Sequence, residues 1–576
     1  METREEHRAY DKRYSVGDRS EGREMDDRRG GRDFDYRAAR PIGTESEGNE
    51  VNDPKGGIQA ILERWSAEEV VPRLFRKDFT IWAEKDLPEL SKRLGWIDLP
   101  ETMDQTMDEV LRITEEVRGA GLETVVLLGM GGSSLAPDLF AKVFGNRGGF
   151  PRLTVLDTTH PEAILRVTES LNFESTLFIV SSKSGGTLET RTLMEFFWHR
   201  VKEIQKEPGR NFIAITDPGS SLEQTARERG FRSCVEAPAD VGGRFSALTP
   251  FGLLPAALLG IDLRALQVSA RRMKSACEGS TGEKNPAALL AAAVGKELQD
   301  GFAVLPLETD SLYAPFADWL EQLLAESTGK SGRGILPVLR EKTARPGAFE
   351  EAKDGFVVKI HAAQKEKGEE AEETIGDLRN KGYVIALRDP IELGGEFFRW
   401  EVATALLGEL LSINPFDQPD VQLAKDFAKK VLEGKGRGEE IEEVPEEEVD
   451  RFLKEAVTAE TQYIALQAFI DPSEENAVWL KKERERIERK TGRFVTVGFG
   501  PRFLHSTGQL HKGGPACGVF VQIVDEIQED CPIPGKEMTF GRLIRGQADG
   551  DYLALRQRGR KVIRMKHGME DFFDPL

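Results

Sequence analysis

Five short apolar runs, at residues 124–128, 153–157, 177–180, 212–216 and 232–236, alternate with polar stretches of helix length. That alternation predicts parallel strands joined by helices in a doubly wound sheet. Residues 58–119 ahead of it carry a helical period, and a helical region that includes an Ala-rich stretch at 287–293 follows over 253–298. A second alternating series at 302–306, 355–360 and 383–387 predicts a separate sheet. The remainder reads as an acidic helix pattern over 446–469, a basic one over 479–489, and strands at 494–498, 518–524 and 560–565.

Composition refines this picture at the chain's start. Residues 1–56 mix Arg, Asp, Glu and Gly with few apolar positions, and are expected to be disordered because they bury too little surface to offset ordering entropy. The charge runs at 365–373 and 434–450 are expected as solvated faces or loops. With 39% hydrophobic and 31% charged residues, no apolar run of spanning length and no signal-peptide core after Met1, a cytoplasmic protein is expected. Cys234, Cys277, Cys517 and Cys531 lie far apart, without metal-type spacing, and read as reduced thiols. The net charge of −20 argues against nucleic acid or an anionic membrane as partner. An anionic small molecule is still allowed, because screening over about 8–10 Å makes the local field decisive.

Two turns carry the candidate chemistry. Val125-Val126-Leu127-Leu128 breaks into Gly129-Met130-Gly131-Gly132-Ser133-Ser134, and Leu177-Phe178-Ile179-Val180 into Ser181-Ser182-Lys183-Ser184-Gly185-Gly186-Thr187. A strand that feeds such a turn at a helix start presents bare N–H groups to an anion. Helix capping by Ser and Thr would explain either turn alone; two in successive units point to a phosphate held between them. The Walker spacing is absent around Lys183, and Ser134 stands where a dinucleotide fingerprint needs its last glycine.

Three further segments qualify. Gly242-Gly243-Arg244-Phe245-Ser246 offers a permanent charge beside close-approach backbone, although Arg244 could equally pair with a surface acid. Gln322 and Glu326 share a helix face that stops at Gly329, where Glu326 could act as a general base or be an ordinary exposed Glu. The stretch 503–514 holds His505 and His511, two of only seven histidines, among glycines after a strand; structural histidines are the competing reading.

Together these motifs, with Glu326-Ser327-Thr328-Gly329-Lys330 and Ile413-Asn414-Pro415-Phe416-Asp417-Gln418-Pro419-Asp420-Val421, resemble the glucose-6-phosphate isomerase family in content and order over roughly residues 57–430. The tail 498–509 resembles the isomerase half of bacterial transaldolase/glucose-6-phosphate isomerase fusions, without room for the transaldolase barrel in residues 1–56. The resemblance implies an α/β fold of two sugar-isomerase (SIS) domains, each a flavodoxin-like doubly wound parallel sheet, with helical flanking segments and a C-terminal extension. It divides the chain into a tail (1–56), a helical segment (57–118), a first SIS domain (119–260), a helical connector (261–299), a second SIS domain (300–432), and residues 433–576, whose strands would complete the second domain.

The implied activity interconverts glucose 6-phosphate and fructose 6-phosphate through ring opening and an enediolate, without metal or redox cofactor. Gly132, Ser133, Ser182, Lys183, Ser184, Thr187 and Thr190 match the phosphate and substrate cradle, and Gln322 a substrate-binding residue. Glu326 matches the base that moves the proton between C2 and C1, Arg244 the group that stabilises the enediolate, and Lys425 a ring-opening lysine. Glu189 matches the acid that orients the catalytic His. That His commonly follows the Glu-Ser-x-Gly-Lys motif; here the region holds only His361, and His505 fits better than His361 or His511. The resemblance also implies a homodimer and leaves room for a separate transaldolase partner. A dual phosphoglucose/phosphomannose isomerase and a non-catalytic sugar-phosphate sensor are the alternatives.

Overall fold

The first sheet consists of β1 (Thr124–Leu128), β2 (Arg152–Leu156), β3 (Thr176–Ser181), β4 (Phe212–Thr216) and β5 (Ser233–Glu236). They are parallel throughout, in the order β2-β1-β3-β4-β5. The computed structural model from which this is drawn describes residues 54–279, 282–340, 356–363, 377–379, 382–421, 426–429 and 441–568. β3 is buried at every position and β1 at all but its first, because helices cover both faces. The winding reverses between β1 and β3, and open α/β sheets bind ligands beyond the carboxyl ends of the strands at such a switch point. Both candidate turns leave those two strands.

The second sheet holds β6 (Val304–Thr309), β7 (Leu336–Arg340), β8 (Val357–Ala362), β9 (Asp377–Arg379) and β10 (Gly382–Leu387), ordered β7-β6-β8-β10-β9. All pairings are parallel except β9, which runs antiparallel to β10. The first two sheets share one core, built with the helices Pro250–Leu258, Leu263–Glu278, Pro286–Gln299 and Leu393–Leu410. Within it Trp96 packs tilted against Phe245 and Phe398, and Phe245 against Phe416, which fixes the backbone beside Arg244 against the loop that follows the last of these helices.

The C-terminal strands depart from expectation. β11 (Tyr463–Phe469), β12 (Phe494–Phe499), β13 (Gly518–Val524) and β14 (Lys561–Lys566) pair in parallel with one another, in the order β12-β11-β13-β14. They form a third sheet rather than extra strands of the second. The cause is β11, the strand on which β12 and β13 pair. The segment expected as one acidic helix over 446–469 is a helix only over Glu446–Ala456, and Tyr463–Phe469 is a strand buried at all positions. With both faces covered it has no alternation to betray it. This sheet repeats the winding of the first, with its own reversal between β11 and β13. It meets the second sheet where β12 touches β7, and Val304, Leu336 and Val338 pack there with Tyr463, Ala465 and Phe520.

The tail expected to reach residue 56 gives way earlier, to a helix at Pro54–Ala67; the rest of it, with the run 365–373 and residues 434–440, lies outside the described residues. Among the described residues no helix is long and apolar enough to cross a membrane.

Candidate active site

The first turn is packed backbone to backbone. Gly131 adopts φ 54°, and a Cβ there would stand 2.8 Å from Nε2 of Gln322 and 2.9 Å from the carbonyl oxygen of His505. A Cβ on Gly132 would collide with the carbonyl group of Gly243. Only glycines let this turn lie against both the Arg244 turn and the His505 loop.

The second turn is tied to the first. Ser181 Oγ donates to the Ser133 carbonyl (3.2 Å), so the strand end of β3 is fastened to the turn after β1. Ser182 Oγ donates to Thr187 Oγ1 (3.1 Å), and Gly186 N–H to Ser184 Oγ (3.2 Å). The helices Leu135–Phe144 and Leu188–Ile204 begin directly after Ser134 and Thr187, and neither of those side chains caps its helix. Ordinary capping therefore does not account for the hydroxyls, and the first N–H groups of both helices keep their affinity for an anion. Thr190 Oγ1 is buried without a hydrogen-bond partner. Lys183 differs from expectation. Its ammonium is committed to both carboxylate oxygens of Asp217 (2.8 Å each), and burial, the first cause, pulls its pKa down.

Glu326 lies in the last turn of the helix Phe316–Thr328. Its carboxylate stands 3.1 Å from Nη1 of Arg244 and accepts from Nε2 of Gln322 at 3.1 Å. Arg244, buried on the short turn Gly243–Phe245, is held from every side. Nε donates to Ser327 Oγ (2.7 Å), Nη1 to Gln418 Oε1 (3.0 Å), and Nη2 to the carbonyls of Pro415 (2.7 Å) and Asp417 (3.1 Å). Gln322 also donates to the His505 carbonyl (2.8 Å), and its Oε1 is buried without a partner.

His505 arrives from the loop after β12, at the end of the turn Arg502–His505. Its Nε2 lies 3.2 Å from Glu189 Oε1. A carboxylate only accepts, so Nε2 carries the proton and Nδ1 is the nitrogen left for a ligand. Arg502 anchors the loop through Asp138 (2.7 Å), Asp157 (3.1 Å) and Asp318 (3.5 Å). Burial opposes its charge, yet the three carboxylates hold its pKa above the ordinary value.

The other histidines sit elsewhere. His361 is half-buried on β8 with Nδ1 2.9 Å from the Ala362 carbonyl oxygen. His511 is buried 3.3 Å from the Tyr463 hydroxyl, and burial, then Lys512 and Arg560, pushes its pKa well down. Lys425 lies outside the described residues.

Two residues beside these groups, Lys330 and Gln547, were not singled out in the sequence. Lys330, buried, donates to the carbonyls of Asn414 (2.7 Å) and Asp417 (2.6 Å) and to Asp417 Oδ1 (2.7 Å); burial lowers its pKa to about 8. It sits in the Glu-Ser-Thr-Gly-Lys motif and fixes the loop that also holds Arg244. Gln547, from the helix Phe540–Gln557, donates to Glu189 Oε1 (2.7 Å); nothing in the pattern around it marks it.

Fold and site together define a doubly wound α/β protein in which a carboxylate–guanidinium pair and a histidine–carboxylate pair lie beside two linked glycine-hydroxyl turns at its switch point. Residues 102–344 match the family model for phosphoglucose isomerase. The glucose-6-phosphate isomerase of Synechococcus sp. (strain JA-2-3B'a(2-13)) is 35% identical over 394 residues, covering 60% of this chain and 72% of the relative. That of Thermus thermophilus is 30% identical over 393 residues, covering 60% and 92%. The crystal structure of a glucose-6-phosphate isomerase from Chlamydia trachomatis superposes with a TM-score of 0.52 over 69% of this chain and 89% of that one; at 18% identity it speaks for the fold alone. The chain belongs to the glucose-6-phosphate isomerase family.

Proposed function

We propose that the chain interconverts glucose 6-phosphate and fructose 6-phosphate, with Glu326 as the base that carries the proton between C2 and C1. The observation that carries this is the placement of the Glu326 carboxylate 3.1 Å from a buried guanidinium and one helical turn from Gln322, beside the two linked hydroxyl turns. The phosphate binds to the helix N-termini and hydroxyls of Ser133, Ser182, Ser184, Thr187 and Thr190, and holds the sugar carbons against the base. His505, through its free Nδ1, takes the O1 proton as the C1–O5 bond breaks, and Lys425 delivers a proton to the ring oxygen. Glu326 then takes the C2 proton, and the electron pair forms C1=C2 while negative charge gathers on O1. Arg244 stabilises that charge as an oxyanion hole does. The proton returns from Glu326 to C1 while O1 gains and O2 loses a proton, which leaves the ketone at C2.

The resemblance over residues 498–509 supports reading the chain as akin to the isomerase halves of the transaldolase fusions, with a separate transaldolase as the corresponding partner. A homodimer is inferred from the family resemblance, and a cytoplasmic location from the composition and the scattered cysteines. SIS domains at 119–260 and 300–432 are the layout that best fits the first two sheets.

The direct test mixes the protein with fructose 6-phosphate, and in parallel with mannose 6-phosphate, and follows glucose 6-phosphate. Glu326→Gln should fold and bind the sugar phosphate but lose solvent-proton exchange at C2. Retained exchange removes Glu326 from the role, and an inactive wild type overturns the isomerase reading in favour of a sensor.

A further inference from the structure

Glu189, on the helix after β3, and His505, on the turn after β12, meet where a further side chain bonds the carboxylate. His505 Nε2 at 3.2 Å and Gln547 Nε2 at 2.7 Å both contact Oε1 of Glu189. Gln547 is itself oriented: its Oε1 accepts from the hydroxyl of Thr159 at 2.7 Å, in the segment after β2. The amide cannot be reversed, since a carboxylate offers no proton to an amide oxygen. Thr159 and Gln547 are both buried, so this run of bonds is shielded from water.

We infer that Gln547, held by Thr159, is a positioning residue that sets the rotamer of Glu189 and through it the tautomer of His505. This rests on the reading that His505 acts as acid and base in ring opening. Its physical content is that a carboxylate anchored at one oxygen presents that oxygen to Nε2 in one direction only, and so keeps the proton on Nε2 and Nδ1 free. The third sheet thereby supplies both the histidine and the part that aims it: His505 from the loop after β12 and Gln547 from the helix between β13 and β14. Thr159, from the first sheet, closes the circuit across the boundary.

The test uses the full chain with Gln547→Met, which keeps volume and removes the donor, Gln547→Glu, which regains a donor only when protonated, and Thr159→Val, which frees the amide. The first readout needs no substrate: the 15N shifts of His505 report its tautomer. The wild type is expected as the Nε2–H form, and Gln547→Met as a mixture. The second is kinetic: kcat on glucose 6-phosphate should fall about 10-fold in Gln547→Met with KM within about twofold. Gln547→Glu should recover toward wild type relative to Gln547→Met as the pH is lowered, and Thr159→Val should fall between Gln547→Met and wild type. An unchanged tautomer in a folded Gln547→Met overturns the proposal, as does a loss of melting temperature with kcat intact. A wild type without isomerase activity overturns the catalytic reading instead, and the tautomer measurement tells the two failures apart.

Discussion

His505 and Glu189, 316 positions apart in the chain, meet with Nε2 3.2 Å from Oε1. The histidine belongs to the third sheet's unit and the glutamate to the first turn of the helix after β3, so the pair forms only once the two units dock. Arg502 makes that docking specific: its guanidinium engages Asp138 and Asp157 of the first unit and Asp318 of the Glu326 helix.

If Glu189 orients this imidazole, Glu189→Gln should disable it without moving it. An amide can donate to Nε2 and so place the proton on Nδ1, the wrong nitrogen for ring opening. kcat on glucose 6-phosphate should fall by about 10²–10⁴-fold, the usual worth of a general acid–base group, with KM within a few-fold. Steady-state kinetics check this, and a wild-type kcat would separate the pair from catalysis.

Arg244→Lys isolates the guanidinium. A lysine ammonium is a point charge and cannot serve Ser327, Gln418, Pro415 and Glu326 together. The expected loss is about 10²–10³ in kcat, of the order found when an oxyanion-stabilising donor is removed. Because Arg244 also ties down the 415–418 loop, a fall in melting temperature should accompany it.

Gly132→Ala tests the packing of the two turns. The new methyl would meet the Gly243 carbonyl group, and relief requires this turn and the Arg244 turn to separate. Overpacking of this kind costs about 1–3 kcal/mol, and sugar-phosphate affinity should fall with it. Gly148→Ala is the control, since a Cβ there has open space. Equal behaviour of the two in urea melts and binding assays would refute the close approach.

The legible parts of the molecule are those where local chemistry punctuates the chain. β1 and β3 are readable because each apolar run ends at a glycine-hydroxyl turn, and His505 because two histidines stand among glycines after a strand. β11 is not readable, because Tyr463–Phe469 is buried on both faces and follows an acidic helix without a break signal. β7, Leu336–Arg340, carries Pro337 inside a short run, and β9 has only three residues. Gln547 escapes for a different reason. Its role is set by what stands opposite it in space, and a glutamine on an amphipathic helix looks the same whether or not a carboxylate faces it.

Glu321 gives the site a pH dependence of stability. Its carboxyl lies beside the His505 loop, with Ser506 Oγ 3.5 Å away. Burial, and then Asp318, raise its pKa from the ordinary 4.5 to about 8, against Arg502, Ser506 and Thr496. The folded chain therefore holds a proton between pH 4.5 and 8 that the unfolded chain has released, so the contribution of this group is full below pH 4.5 and is lost as pH rises to 8. Glu321→Gln removes the titration. Its stability relative to wild type should climb steadily from pH 5 to pH 8 by several kcal/mol, since each unit of the separation between 4.5 and about 8 is worth about 1.4 kcal/mol. Urea unfolding at four pH values across that range checks the slope; a difference that stays constant with pH would show that Glu321 keeps an ordinary carboxylate's behaviour, and that the loop bearing His505 is not under its control.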